Sequence, residues 1–232
     1  MSNPNENFRV IHIDDLPMGG FAGIVEQQMV LSPDLWPKAQ HRTDISHGIG
    51  DFVYLANGYF KPNDGAPLHP HNDVDIVSVI LNGSVGHEGT LGDGTIIEGP
   101  GVQVQRAGTG MQHSEFSTQD KKADFVQIWF RPPASGLKPG YQNIKLEPNT
   151  LTTVLGGNDP QCFDSTMTVR AGYLAKDESL ITDRPFIALI TEGHAMVNNV
   201  RVQKGDLIEG EQAHLTSDEM FGLVLIQHNE PM

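Results

Sequence analysis

The sequence predicts an all-β protein made of two β-barrels in one chain. Short apolar runs recur at 76–81, 95–97, 102–104 and 125–130 with turn residues between them, the pattern of antiparallel sheet rather than of helix. Glycine and proline are abundant, 25 and 15 of 232 residues, as short strands joined by tight turns require. After a stretch rich in both, strand-like runs resume at 167–173, 186–191, 195–202, 206–208 and 222–226.

Taken in order, 18–31 reads as strand or loop, and the polar stretch 38–46 as loop. His69, His71, Asp73, Asp75, Val77, Val79 and Leu81 share one parity. On a single strand they would grade from a polar barrel mouth to an apolar floor. The opposite parity (Val74, Ile76, Ser78, Ile80) is also mostly apolar, so the other barrel is expected to cover the outer face. Asn82-Gly83 and Asp93-Gly94 read as hairpin turns, because a type I′ turn needs positive φ at both central residues. Residues 132–142 carry three prolines and two glycines and are the expected linker between units 1–131 and 143–232. Glu192-Gly193-His194 echoes Leu81-Asn82-Gly83, and the segment 204–208 echoes that around Gly101-Val102-Gln103. This is a weak internal duplication.

Charge narrows the function classes. Fifteen basic residues against 29 acidic give a net charge of -14, a surface that repels phosphate backbones and anionic lipid, so direct nucleic-acid binding is not expected. A single cysteine, Cys162, excludes an intramolecular disulfide and fits a reducing compartment. Residues 1–7 lack a basic and apolar leader, and no apolar run nears the roughly 18 residues of a membrane span. The expectation is a cytoplasmic protein without a membrane segment.

The chemistry sits in two short motifs, Leu68-His69-Pro70-His71 and Met111-Gln112-His113-Ser114-Glu115. Residues i and i+2 of a strand point the same way, so two such pairs on facing strands would aim three imidazoles and a carboxylate at one point. That donor set accepts iron, zinc, copper, nickel or manganese and leaves two positions open on an octahedral ion. A closed structural zinc site would often use more cysteine. Any one of these histidines alone is more often a satisfied core residue than a ligand. His87-Glu88 reads as a polar hairpin edge, and His194 and His214, without partners at i±2, as turn or surface residues. Gly108-Thr109-Gly110 lacks the ending of a phosphate loop and reads as a close approach to the metal strand. No G-x-S-x-G elbow marks Ser114 as a nucleophile.

His69-Pro70-His71 with Asp75, followed by Ala107-Gly108-Thr109-Gly110 and His113-Ser114-Glu115, resembles the pirin family of the cupin superfamily over at least 58–131. Gln127-Ile128-Trp129-Phe130 and the Gly136…Pro139 segment also fit; the second half is similar more loosely. The resemblance implies a bicupin of two cupin-type barrels, with a metal site in the N-terminal barrel only. It implies His69, His71, His113 and Glu115 as ligands and Fe(II) as the usual metal, with Zn, Mn, Ni, Co and Cu admissible. Many pirins read His-Pro-His-Arg-Gly-Phe-Glu; here Asp75 takes the place of the glutamate, so it is expected to hydrogen-bond a ligand or its water. Relatives often carry Asp where Gly101 stands. The activity implied is that of a quercetinase-type dioxygenase: a flavonol such as quercetin binds as its oxyanion, Glu115 is the base, and O2 opens the ring with loss of CO. The alternative is a non-enzymatic metal-binding or redox-sensing regulator acting through a protein partner. A metal-dependent isomerase ranks third.

Overall fold

Strands built from these runs account for almost all regular structure in the computed structural model, which describes residues 8–229. Residues 1–7, read above as carrying no leader, lie outside that range. The described strands form four antiparallel sheets, and the protein is all-β as expected. In the first half a seven-stranded sheet runs in the order Gly140–Lys145, Gly101–Arg106, Asp75–Asn82, Ala123–Phe130, Phe52–Phe60, Ile24–Leu31, Gly19–Phe21. Facing it is a sheet of Gly65–His71, Met111–Ser117, Ser84–Gly89 and Thr95–Glu98. The second half repeats the plan with a six-stranded sheet and a four-stranded one. Region 18–31 is therefore mostly strand, and Pro37–His41 is a single 3₁₀ turn.

The halves exchange strands. Phe8–Ile11 pairs with Leu207–Gly210 in the second barrel, while Gly140–Lys145 pairs with Gly101–Arg106 in the first. The largest core also belongs to both. Val77, Val79, Val102, Val104, Val126 and Ile128 pack in one cluster with Val169, Ala171, Ile187, Leu189, Val224 and Ile226. The second barrel thus covers the outer face of the seven-stranded sheet, as burial on both parities of 74–81 requires.

Two expectations change. The parity run from His69 to Leu81 is not one strand, because Asp73 adopts φ 46° and turns the chain between Gly65–His71 and Asp75–Asn82. The turn moves the chain into another sheet. Asp75, Val77 and Val79 therefore face the inter-barrel side, whereas Ile76 packs in the lumen with Ala107 and Met111. Asn82-Gly83 is likewise not a hairpin: the flanking strands pair with other strands, and only Gly83 has positive φ (85°). It is a corner where the chain crosses from sheet to sheet, and a Cβ there would lie 2.9 Å from the Ala123 Cα. Asp93-Gly94 does lie in a hairpin, in the loop joining Ser84–Gly89 to Thr95–Glu98. No described helix is long and apolar enough to cross a membrane.

Asp75 opposes Arg106 across the sheet, and its two oxygens accept from Arg106 Nε at 2.9 Å and Nη2 at 2.7 Å. Arg106 also donates to Asp164 and lies over the Phe163 ring, both from the second half. Both partners are buried, so removing one leaves an uncompensated charge. Asp75→Asn is expected to lower unfolding stability by about 3 kcal/mol, the low end for a broken buried pair because Asp164 still faces Arg106. Urea titration checks this; a midpoint equal to the parent's would show that the pair contributes nothing.

Candidate metal centre and its aromatic cavity

The register of Met111–Ser117 builds the site. His113 lies directly opposite His69 on one neighbouring strand, and Glu115 opposite His87 on the other. A bulge between His113 and Glu115 shifts the carboxylate away from the histidine pair. Two groups result. The ligand atoms of His69, His71 and His113 lie within 4.8 Å of one another, and so do those of His87, His113 and Glu115. His113 belongs to both. The expected quartet is thus one imidazole triad with the carboxylate beside it, joined by a histidine the sequence reading set aside.

Tautomers follow from the partners. His69 Nδ1 donates to the Pro67 carbonyl at 2.7 Å, so its Nε2 carries the lone pair. That Nε2 lies 3.2 Å from His113 Nε2. His87 Nε2 donates to the Leu91 carbonyl at 2.8 Å, leaving Nδ1 as the acceptor, and this buried atom has no partner among the described residues. Burial and the neighbouring imidazoles push His71 and His113 down to about 3, so both are neutral at physiological pH. Neutral imidazoles with converging lone pairs and an orphaned buried nitrogen are the donor set a divalent transition ion takes. The residues fit the group.

Glu115 is 2% exposed and held by amides. Gln103 and Gln105 donate to its Oε1, and Gln127 Nε2 to its Oε2 at 3.2 Å. Tyr141 and Trp129 orient two of these amides: the Tyr141 hydroxyl donates to Gln103 Oε1 at 2.8 Å and Trp129 Nε1 to Gln127 Oε1 at 3.3 Å. Burial, the largest influence, leaves the carboxyl above its ordinary pKa despite the amides and His87.

Trp129 also forms a wall. Its ring lies 5.5 Å from His71, 4.7 Å from Tyr54 and 6.2 Å from Trp36. These tryptophans, with Leu35, Val53 and His71, line an open cavity of about 540 Å³. Gly108 lets its loop approach the 132–139 segment: its φ is 49°, and a Cβ would meet the Leu137 carbonyl oxygen at 2.0 Å. Asp75 touches none of the three imidazoles; both its oxygens face Arg106. His194 sits between Asp218 and Glu219, and His214 is exposed.

A family model named Pirin matches residues 41–130. A Mycobacterium bovis protein is 34% identical over 219 residues, covering 84% of this chain and 85% of its own. The chain belongs to the pirin family. That M. bovis protein bears the name quercetin 2,3-dioxygenase as a provisional assignment. An Escherichia coli K12 protein named quercetin 2,3-dioxygenase is 27% identical over 220 residues, 78% of this chain and 93% of its own. Among solved structures, the bacterial pirin YhhW from E. coli in complex with nickel(II) superposes with a TM-score of 0.82 at 17% identity, over 97% of this chain and 100% of that one. It shares the two-barrel cupin fold.

A carboxyl raised above its unfolded value of 4.5 costs stability once pH exceeds that value, because the ionised form is favoured in the unfolded chain. In metal-free protein, Glu115→Gln should gain stability relative to the parent as pH rises from about 5 to about 8. Paired thermal melts across that range check this. A difference that grows toward acid would contradict the raised carboxyl.

Proposed function

We propose that this pirin is a metal-dependent dioxygenase acting on a flavonol such as quercetin, with O2 as co-substrate and CO released on ring opening. The observation that carries the reading is the aromatic cavity: it opens on His71, one imidazole of the triad, and its Trp129 wall is wired through Gln127 to Glu115. Planar polyphenols suit such walls, since aromatic faces stack with offset or edge contacts. The names of the M. bovis and E. coli relatives support the same substrate class.

In this reading His69, His71 and His113 hold the ion, with Glu115 as a fourth ligand or as a carboxylate beside it. Fe(II) is the metal proposed, and the donors would also take Zn, Mn, Ni, Co or Cu. When bound, the ion supplies a Lewis acid that lowers the pKa of a coordinated hydroxyl, and a redox centre if it is iron. Glu115 receives the proton of the flavonol hydroxyl at a carboxylate oxygen; its raised pKa makes it a better base than an exposed carboxylate. Gln103, Gln105 and Gln127 fix the carboxylate in place, Trp36 and Trp129 orient the ring system, and Tyr54 packs behind Trp129. Asp75 acts on the scaffold through Arg106 rather than on the ion. The metal site belongs to the first barrel alone, and the protein works in the cytoplasm.

His71→Ala and His113→Ala should each lose stoichiometric metal while keeping the parent's circular dichroism, and Asp75→Asn should keep metal. Glu115→Gln, loaded with metal, should lose flavonol turnover by on the order of 10²–10⁴, followed by oxygen uptake and CO release. Turnover equal to the parent's removes Glu115 as the base. A parent that, loaded in turn with iron, manganese, cobalt, nickel and copper, consumes no oxygen with quercetin removes the dioxygenase reading and leaves metal-dependent binding of a protein partner.

A further inference from the structure

Three polar atoms in the first barrel's lumen have no partner among the described residues: His87 Nδ1, His113 Nδ1 and Gln105 Oε1. Each of these side chains is at most 1% exposed, so bulk water does not reach them. Their chemistry is complementary. His87 Nε2 donates to the Leu91 carbonyl, so its Nδ1 accepts. Gln105 Nε2 donates to Glu115, which leaves the amide oxygen as its free end. His113 Nε2 lies 3.2 Å from His69 Nε2 and belongs to the triad side. Once that nitrogen holds an ion, the proton of the neutral ring sits on Nδ1, which must then donate. A buried N–H without an acceptor carries its full desolvation cost.

An acceptor is near. The ligand atoms of His87, His113 and Glu115 lie within 4.8 Å of one another, and the rings of His87 and His113 stand 5.2 Å apart. No direct bond joins the two Nδ1 atoms, and the span suits one water, whose two bonds of about 2.8 Å reach roughly 5 Å. Glu115 is already engaged, since its oxygens accept from Gln103, Gln105 and Gln127.

We propose that His87 is a positioning residue for the metal ligand His113, accepting its Nδ1–H through one buried water that also donates to Gln105 Oε1. That water accepts one bond and gives two, three partners in all, as buried waters commonly have. His87 thereby fixes which nitrogen of His113 meets the ion, without being a ligand itself. The inference rests on the metal centre of the reading above and not on its flavonol.

The second barrel supports the coupling of the two roles. Gly193 repeats the corner of Gly83, both with positive φ. Counting from those glycines, Val197 stands where His87 stands, and Leu215 pairs with Val197 as Glu115 pairs with His87. Ala213 then takes the place of His113. All three are buried in that barrel's apolar core. Where the ligand is replaced by hydrocarbon, the acceptor is replaced too.

Zinc(II) binding by the full chain tests this, measured by chelator competition and by nitrogen NMR of the histidine rings. In the zinc-loaded parent, His113 should be metallated through Nε2 and protonated on Nδ1, with that proton slow to exchange with solvent. His87→Gln keeps a donor for Leu91 at the place of Nε2 and removes the Nδ1 acceptor. His87→Asn keeps an acceptor at the place of Nδ1 and removes the donor for Leu91. His87→Gln should weaken zinc binding by about 10–100-fold, and His87→Asn should recover most of that loss. A purely structural role through the Leu91 bond gives the reverse order. The parent's spectrum needs no variant, so the test survives if a substitution misfolds. Zinc held through His113 Nδ1 or by His87 itself, a His87→Gln affinity equal to the parent's, or His87→Asn weaker than His87→Gln overturns the proposal. A parent that takes up no zinc removes the metal centre and this proposal together. Zinc is measured without flavonol, so the dioxygenase reading stands or falls on its own assay.

Discussion

Burial of the central strands of the seven-stranded sheet on both faces is the constraint on which the rest depends. Gly101–Arg106, Asp75–Asn82 and Ala123–Phe130 each send one parity into the core shared by the barrels and the other into the first barrel's lumen. On Gly101–Arg106, Val102 and Val104 go to the shared core while Gln103 and Gln105 enter the lumen. On Ala123–Phe130, Val126, Ile128 and Phe130 go one way and Gln127 and Trp129 the other. Polar groups sent into a closed lumen must find partners there or lose several kcal/mol, at roughly 1–3 kcal/mol each. The glutamines find Glu115, which thereby acquires a fixed position, while its burial in the lumen keeps its pKa raised against the pull of those amides.

The same constraint separates scaffold from chemistry. Asp75 and Arg106 lie on the inter-barrel parity, where a buried pair ties the first sheet to the Phe163-Asp164 segment. The imidazoles lie on the facing sheet, which has one side in the lumen. Site and joint therefore share a neighbourhood in sequence without sharing a face. In the second barrel the scaffold is repeated with the lumen filled by Val197, Ala213 and Leu215. Its stability then comes from apolar packing.

The His-x-His and His-x-Glu spacings were legible because strand periodicity is local, and so was the two-barrel plan, because turn residues punctuate every strand. What required long-range register was not legible. His87 looked like a hairpin edge; only its pairing with Glu115 across two strands brings it to the site. Tyr141 lay in a stretch read as linker, yet its strand pairs back onto Gly101–Arg106. Asp75 shared a parity with the histidines until Asp73 turned the chain with a left-handed residue, which an Asn-Asp pair permits and a sequence pattern does not reveal. One signal was available: Gln103 and Gln105 at i, i+2 within an apolar strand predict paired amides aimed into a closed space.

X-ray absorption spectroscopy of the iron-reconstituted protein tests the central claim, that the three imidazoles of the first barrel hold one ion. The account predicts a single metal environment of nitrogen and oxygen donors with the outer-shell scattering of three imidazole rings. A spectrum with one imidazole or none would contradict it.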